Sequence, residues 1–407
     1  MKKRFFRKAV SVVCAATVSV SSFVGLSATV SAAGAVLGYW PEPLEIPNQF
    51  YYENETLQPY GSCFLIDELK NWSPDNDPDA RYNRGAIELR DRWMGPSVNP
   101  NASRDAKIMP LAMSNARASE APSQGGDGDF VYAFNNFQYV DIFNFWGGSS
   151  AEGPIAIPSP EVIDSAHRNG VPATGTIFIP WGDSAYGNQF VSEMLEKDAE
   201  GHYIAADKLI EIAQYYGFDG YIFNAESGTG VSGFKDFLAY LQRNKPDNFT
   251  ITWYNGSGSL SSGSIKSWMQ DGDTRITDEW WLDMSGGGYV DSTIQAAQEC
   301  GVDPWNIHST WEYWPMSGMS GTKVGNYQTR LDATGKLKCS LGILAPTCTL
   351  TQATSSDDYM NVQDQKLWVG PTFDPSSTYR PGSEFCGFAN LVADRTPVIG
   401  TDFVTTF

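Results

Sequence analysis

The sequence predicts an α/β chain folded as a (β/α)8 TIM barrel. Eight short apolar runs alternate with helical segments. The alternation fills about 240 residues, the length such a barrel needs. No Gly-rich phosphate loop follows the first run, which disfavours the alternative, a doubly wound open sheet. With 407 residues, 42% of them hydrophobic, the chain is too long for one ordinary small core and too apolar for disorder.

Residues 1–32 come first. Lys2, Lys3, Arg4, Arg7 and Lys8 precede an apolar, small-residue stretch, and Val30-Ser31-Ala32 suits signal peptidase. This reads as a bacterial secretory signal cleaved after Ala32, hence a secreted or cell-surface protein. The stretch is weakly hydrophobic for a permanent anchor, and no later one approaches the ~20 apolar residues of a membrane span. Residues 33–101 are rich in Pro, Asn and Tyr and poorly periodic, and are expected to wrap the barrel. The barrel takes residues 102–407, including a last helical region. Its strands are expected at 107–113, 139–146, 171–179, 220–226, 250–255, 275–283, 306–313 and 338–346. Helices are expected at 161–168, 190–197 with 204–216, 233–243, 292–300 and 325–334. Residues 371–381 are loop-like, and no internal repeat is evident.

The net charge is -19 and residues 1–32 carry no acid, so the remainder is more acidic still. Such a surface excludes nucleic acid and, once a signal is removed, anionic membranes as partners. The 13 Trp, 19 Tyr and 22 Phe suggest stacking on sugar rings, with a large core as the bland alternative. Past residue 32 the cysteines are Cys63, Cys300, Cys339, Cys348 and Cys386, and the chain has three His. An odd count without zinc spacing reads as buried thiols with at most one incidental disulfide, and no metal or cofactor is expected. A monomer is expected.

The segment 215–226 carries the chemistry. A helix ends at Gly217 and a strand runs to the loop Ser227-Gly228-Thr229-Gly230. Alternation places Tyr221, Phe223 and Ala225 under the helices. It turns Gly220, Ile222, Asn224 and Glu226 into the barrel. Asn224 and Glu226 stand about 7 Å apart along the strand, at the end where barrels carry their sites. A structural amide and carboxylate would look the same on spacing alone. Among aromatics, burial favours the neutral carboxyl, which could protonate a leaving oxygen.

Asp219-Gly220-x-x-x-Asn224-x-Glu226 resembles the active-site strand of the endo-β-N-acetylglucosaminidases of glycoside hydrolase family 85. It is related to the family 18 strand, in which aspartates occupy the places of Ile222 and Asn224. Further blocks resemble family 85 along nearly the whole chain past residue 32. They are Ser123-Gln124-Gly125-Gly126, Tyr139-Val140-Asp141-Ile142 with Trp146-Gly147-Gly148, and Ala166-His167-Arg168-Asn169-Gly170-Val171-Pro172 with Gly175-Thr176-Ile177-Phe178. Leu195-Glu196-Lys197-Asp198, Trp253-Tyr254, and Trp368-Val369-Gly370-Pro371 with Asp374-Pro375 complete the set.

The resemblance implies hydrolysis of the β-1,4 bond in the di-N-acetylchitobiose core of N-linked glycans, leaving one GlcNAc on the protein. It implies a retaining mechanism in which the sugar's own acetamido oxygen attacks, so a neutral residue can stand at 224. Glu226 would be general acid then base, Asn224 would hold the acetamido group, and Tyr254 would hydrogen-bond beside it. Trp146 and Phe178 would wall the sugar pocket, with core packing as the bland alternative. Two blocks depart from the family. Asp278-Glu279-Trp280-Trp281 stands for Asn-Tyr-x-Trp at the sixth strand. Thr310-Trp311-Glu312-Tyr313-Trp314 stands for Gly-Ile-Asp-x-Trp at the seventh. Trp281 and Trp314 would remain aromatic platforms, and Asp278 and Glu312 would alter the polar ring that contacts sugar. Relatives continue past the counterpart of Phe407 into β-sandwich modules, so the chain is expected to stop before such modules. Two other readings stay open: a non-catalytic sugar-binding barrel, and a hydrolase of chitin-type or free oligosaccharides.

Overall fold

The computed structural model describes residues 63–77, 80–112, 134–147, 154–179, 184–283, 289–312, 326–347, 349–350, 353–379 and 385–397. Residues 1–62 and 398–407 lie outside this description, and with them the signal segment, half of the wrap and the chain end.

Eight parallel strands form the barrel: β1 (Ile108–Ala112), β2 (Phe143–Phe145), β3 (Ala173–Ile179), β4 (Gly220–Ala225), β5 (Thr250–Tyr254), β6 (Glu279–Trp281), β7 (Ile307–Glu312) and β8 (Ser340–Leu344). Each pairs with the next, and β8 pairs with β1, so the sheet closes. Every expected strand contains one of these eight. All their residues but Thr250 are buried where burial is described, as a sheet covered on both faces requires.

The described part of the N-terminal wrap, from Cys63 onward, forms regular elements. Cys63–Phe64 pairs antiparallel with Ile155–Ala156, which lies along β3. Helix α1 (Ile66–Asn71) packs on the helices that follow β3, and Arg92–Trp93 pairs with Thr396–Pro397. The outer helices are α2 (Pro160–Arg168), α3 (Ser184–Met194), α4 (Ile204–Tyr216), α5 (Phe234–Asn244), α6 (Ser262–Trp268) and α7 (Val290–Glu299). The helix expected at 325–334 is replaced by a 3-10 turn, Asn326–Arg330. After β8 comes a helical run ending in α8 (Asp364–Trp368). Cys63, Cys339 and Cys386 are buried and Cys300 is half-buried.

Strand β4 is fixed from both ends. Gly217 takes the left-handed conformation, φ 84°, that closes α4. Asp219 then accepts hydrogen bonds from Ala173 N at 2.9 Å and Asn248 at 3.2 Å, and pairs with His167 at 2.6 Å. The other ring nitrogen of His167 faces the Ile87 carbonyl at 2.7 Å. Burial would lower the His167 pKa, but the Asp219 contact, helped by the Ile87 carbonyl, outweighs it and raises it above the ordinary histidine value. Gly220 has φ 119°, and a Cβ there would stand 2.0 Å from the Thr250 carbonyl oxygen. The Asp-Gly of the motif therefore anchors the strand's start, far from the chemistry.

Candidate active site

The alternation of β4 holds. Tyr221 bonds the Leu209 carbonyl of α4 at 3.2 Å, and Phe223 packs edge-on to Phe234 of α5. The opposite face turns inward. Across neighbouring strands, Phe178 pairs in register with Asn224, and Asn224 with Tyr254. These three side chains form one layer at the C-terminal ends of β3, β4 and β5. Glu226 follows one layer further out, its backbone N–H bonded to the Ile179 carbonyl at 3.0 Å.

Asn224 is 2% exposed and donates from Nδ2 to Glu226 Oε1 at 3.0 Å. The Glu226 carboxyl is raised above the ordinary glutamate value. Burial is the main cause, the charge of Asp283 adds to it, and the Asn224 amide opposes it. The raised value favours the protonated form, the form that can give a proton. Tyr254 donates its hydroxyl to Asp283 Oδ2 at 3.2 Å. Trp146 and Phe178 meet edge to face, ring centroids 6.1 Å apart. Both keep a small exposed fraction, and Trp146 stands beside the layer through Phe178.

The other expected site residues divide. Trp281 lies inside the barrel, 5.8 Å from the Tyr254 ring, with its indole N–H toward the Met109 carbonyl. At 2% exposure it forms the floor beneath the site rather than an open platform. A Cβ on Gly342 would meet that indole at 2.4 Å, so the glycine makes room for the ring. Asp278 stands at the wrong end. It precedes β6, accepts from Ile251 N and Gln242 at 2.8 Å, and pairs with Lys245 at 3.0 Å. Its placement in the sugar ring is corrected: it ties α5 to the barrel's lower rim. The side chain of Glu312, and Trp314 as a whole, lie outside the described residues. Asp283 is the residue the reading missed. The expected sixth strand ended on it, and alternation from Trp281 would have turned it inward. Asp141, kept out of the expected site, is structural: it accepts from Ile108 N and pairs with Arg395.

Among the described residues no group of three His, Cys, Asp or Glu could hold a metal ion. No helix there is long and apolar enough to cross a membrane.

A sequence model of glycosyl hydrolase family 85 matches residues 114–407. The chain belongs to glycosyl hydrolase family 85. The glycoside hydrolase domain of Endo-D from Streptococcus pneumoniae R6 superposes with a TM-score of 0.73 at 31% identity. That match covers 84% of this chain and 55% of Endo-D. The cytosolic endo-beta-N-acetylglucosaminidase of Danio rerio is 29% identical over 222 residues, 53% of this chain and 29% of the relative. The Homo sapiens enzyme of the same name is 25% identical over 240 residues, 57% and 30%. The chain thus spans about a third of the length of these curated relatives. Their names also correct one expectation. The curated relatives are cytosolic proteins, against the secreted or cell-surface location read from residues 1–32. A basic stretch followed by Ala and Ser is a signal of composition alone, and does not outweigh them.

Proposed function

We propose that this family 85 chain is an endo-β-N-acetylglucosaminidase of N-linked glycans. It hydrolyses the β-1,4 bond of the di-N-acetylchitobiose core and leaves one GlcNAc on the glycoprotein. The observation that carries this reading is the hydrogen-bonded Asn224–Glu226 pair at the C-terminal end of β4, with Glu226 biased toward its protonated form. Family membership and the names of the relatives support the same substrate.

In this reading the acetamido oxygen of the sugar attacks its own anomeric carbon. Glu226 gives its proton to the departing glycosidic oxygen, then takes one from the water that opens the oxazolinium intermediate. Asn224 and Tyr254 hold the acetamido group in position. Trp146 and Phe178 wall the sugar. A GlcNAc acceptor in place of water gives glycan transfer by the same second step. The presence of Glu226 with Asn224 and Tyr254 argues against a barrel that only binds sugar. Asn224, where a family 18 strand has an aspartate, argues against chitin.

The test is mass spectrometry of a glycopeptide bearing a high-mannose N-glycan. The expected product is the peptide with a single GlcNAc. An unchanged glycopeptide, or cleavage at another bond, would overturn the proposal.

A further inference from the structure

A substrate-assisted reaction builds positive charge on the acetamido nitrogen as the ring closes. Asn224, beside the acid, is neutral and cannot balance that charge. Among the described residues the charge of Asp283, just past β6, acts on Glu226, and Tyr254 at the end of β5 hydrogen-bonds the Asp283 carboxylate. From β3 comes Phe178 and from β4 itself Asn224. Asp283 is half-buried, and its backbone N–H is fixed to the Ser257 carbonyl at 2.9 Å, which ties it to the loop after β5. Its carboxylate accepts a hydrogen bond from the Tyr254 hydroxyl at 3.2 Å. A phenol that donates its hydrogen bond to Asp283 offers lone pairs to the pocket, so it meets an acetamido N–H as an acceptor.

We propose that Asp283 is a positioning residue of the reaction, supplying through Tyr254 the negative charge that Asn224 lacks. It rests on the substrate-assisted reading above. The Asp283–Tyr254 pair aims an acceptor at the acetamido N–H, and the carboxylate behind it stabilises the oxazolinium cation. The polarised hydroxyl is worth more in this half-buried place than in water. The same carboxylate acts on Glu226 and opposes its ionisation, so one residue serves both halves of the first step.

Asp283→Asn keeps the shape and an acceptor for Tyr254 but removes the charge. With the glycopeptide substrate, kcat should fall by roughly 10- to 100-fold with KM nearly unchanged, the pattern of an interaction made in the transition state. The alkaline limb of kcat/KM should move to lower pH, because Glu226 loses its like-charged neighbour. In a Tyr254→Phe background the same substitution should cost little in kcat, since the relay is already cut. Wild-type kcat in Asp283→Asn, or fully additive losses in the double variant, would overturn the proposal. A second measurement needs no turnover: carbon-13 NMR titration of the Glu226 carboxyl in both proteins. A lower midpoint in Asp283→Asn supports the proposal, and an unchanged midpoint overturns it. The titration keeps this result separate from any failure of the glycan reading itself.

Discussion

Asn224 and Glu226 could be placed from sequence because a strand has a period of two and a barrel has one reacting end. A helix closed by Gly217 set the strand's start, and alternation did the rest. Asp283 follows from the same rule applied to β6, but motif spacing drew attention to Asp278 instead. The two stand five positions apart, enough to move from one rim of the barrel to the other. Trp281 shows a second limit. Its identity as an inward aromatic was legible, whereas its depth depends on the space left by Gly342 on another strand. The direct residue-scale test is Glu226→Gln, which keeps shape and hydrogen bonding but has no proton to transfer. Glycan release should fall at least ~100-fold, with the unfolding midpoint nearly unchanged. Retention of most activity would remove Glu226 from the reaction and revive the binding-barrel reading.

Among the elements, those with strong periodicity were legible and those held by tertiary contacts were not. Helix α4 was bounded on both sides by its own sequence, whereas α6 is Ser- and Gly-rich and lacks a helical pattern. Its N-terminus is held by Ser261, whose hydroxyl accepts from Ser264 N. The segment 325–334 fails as a helix because side chains compete for its backbone. Asp332 accepts from Thr334 N at 2.7 Å and Lys336 N at 3.0 Å, a local turn. Arg330 is drawn inward over Trp311, with its guanidinium bonded to Ser309 and the Thr310 carbonyl. At α8 the structure carries a titratable group. Asp364 is 4% exposed, takes hydrogen bonds from Asn136 at 2.6 Å and Thr349 at 3.1 Å, and is pushed up to about 7 chiefly by burial. An acid whose folded value is raised keeps its proton when the unfolded chain has lost it. Its contribution is complete below the ordinary aspartate range and is lost as pH rises toward 7. Relative to Asp364→Asn, the wild type should lose stability across that window with a slope of up to ~1.4 kcal/mol per pH unit. Urea unfolding of both proteins between pH 4 and 8 checks this. Parallel stability curves would rule out Asp364 as the titrating group.

For the whole molecule, eight runs and their spacing sufficed to identify the closed barrel, because each strand must be apolar on both faces. What ties the strands together at the lower end was not legible. Lys107 meets Glu279 at 2.6 Å and Asn306 at 2.8 Å, and Glu279 meets His308 at 3.0 Å, joining the starts of β1, β6 and β7. Burial would raise the Glu279 carboxyl, but His308 and Lys107 outweigh it and hold it below its ordinary value. These contacts join residues up to 199 positions apart, and no local pattern announces them. Among the described residues this charged cluster lies at the end of the barrel opposite Asn224 and Glu226. In the proposed reaction Asn224 serves formation of an oxazolinium intermediate while Glu226 serves both steps. The measurement that separates them supplies a preformed sugar oxazoline and a GlcNAc-peptide to Asn224→Ala and to Glu226→Gln. Asn224→Ala, inactive on the natural glycan, is expected to transfer the oxazoline and accumulate product, while Glu226→Gln should transfer poorly because its acceptor is not activated. Equal failure of both variants, or a trapped covalent ester between sugar and enzyme, would contradict it.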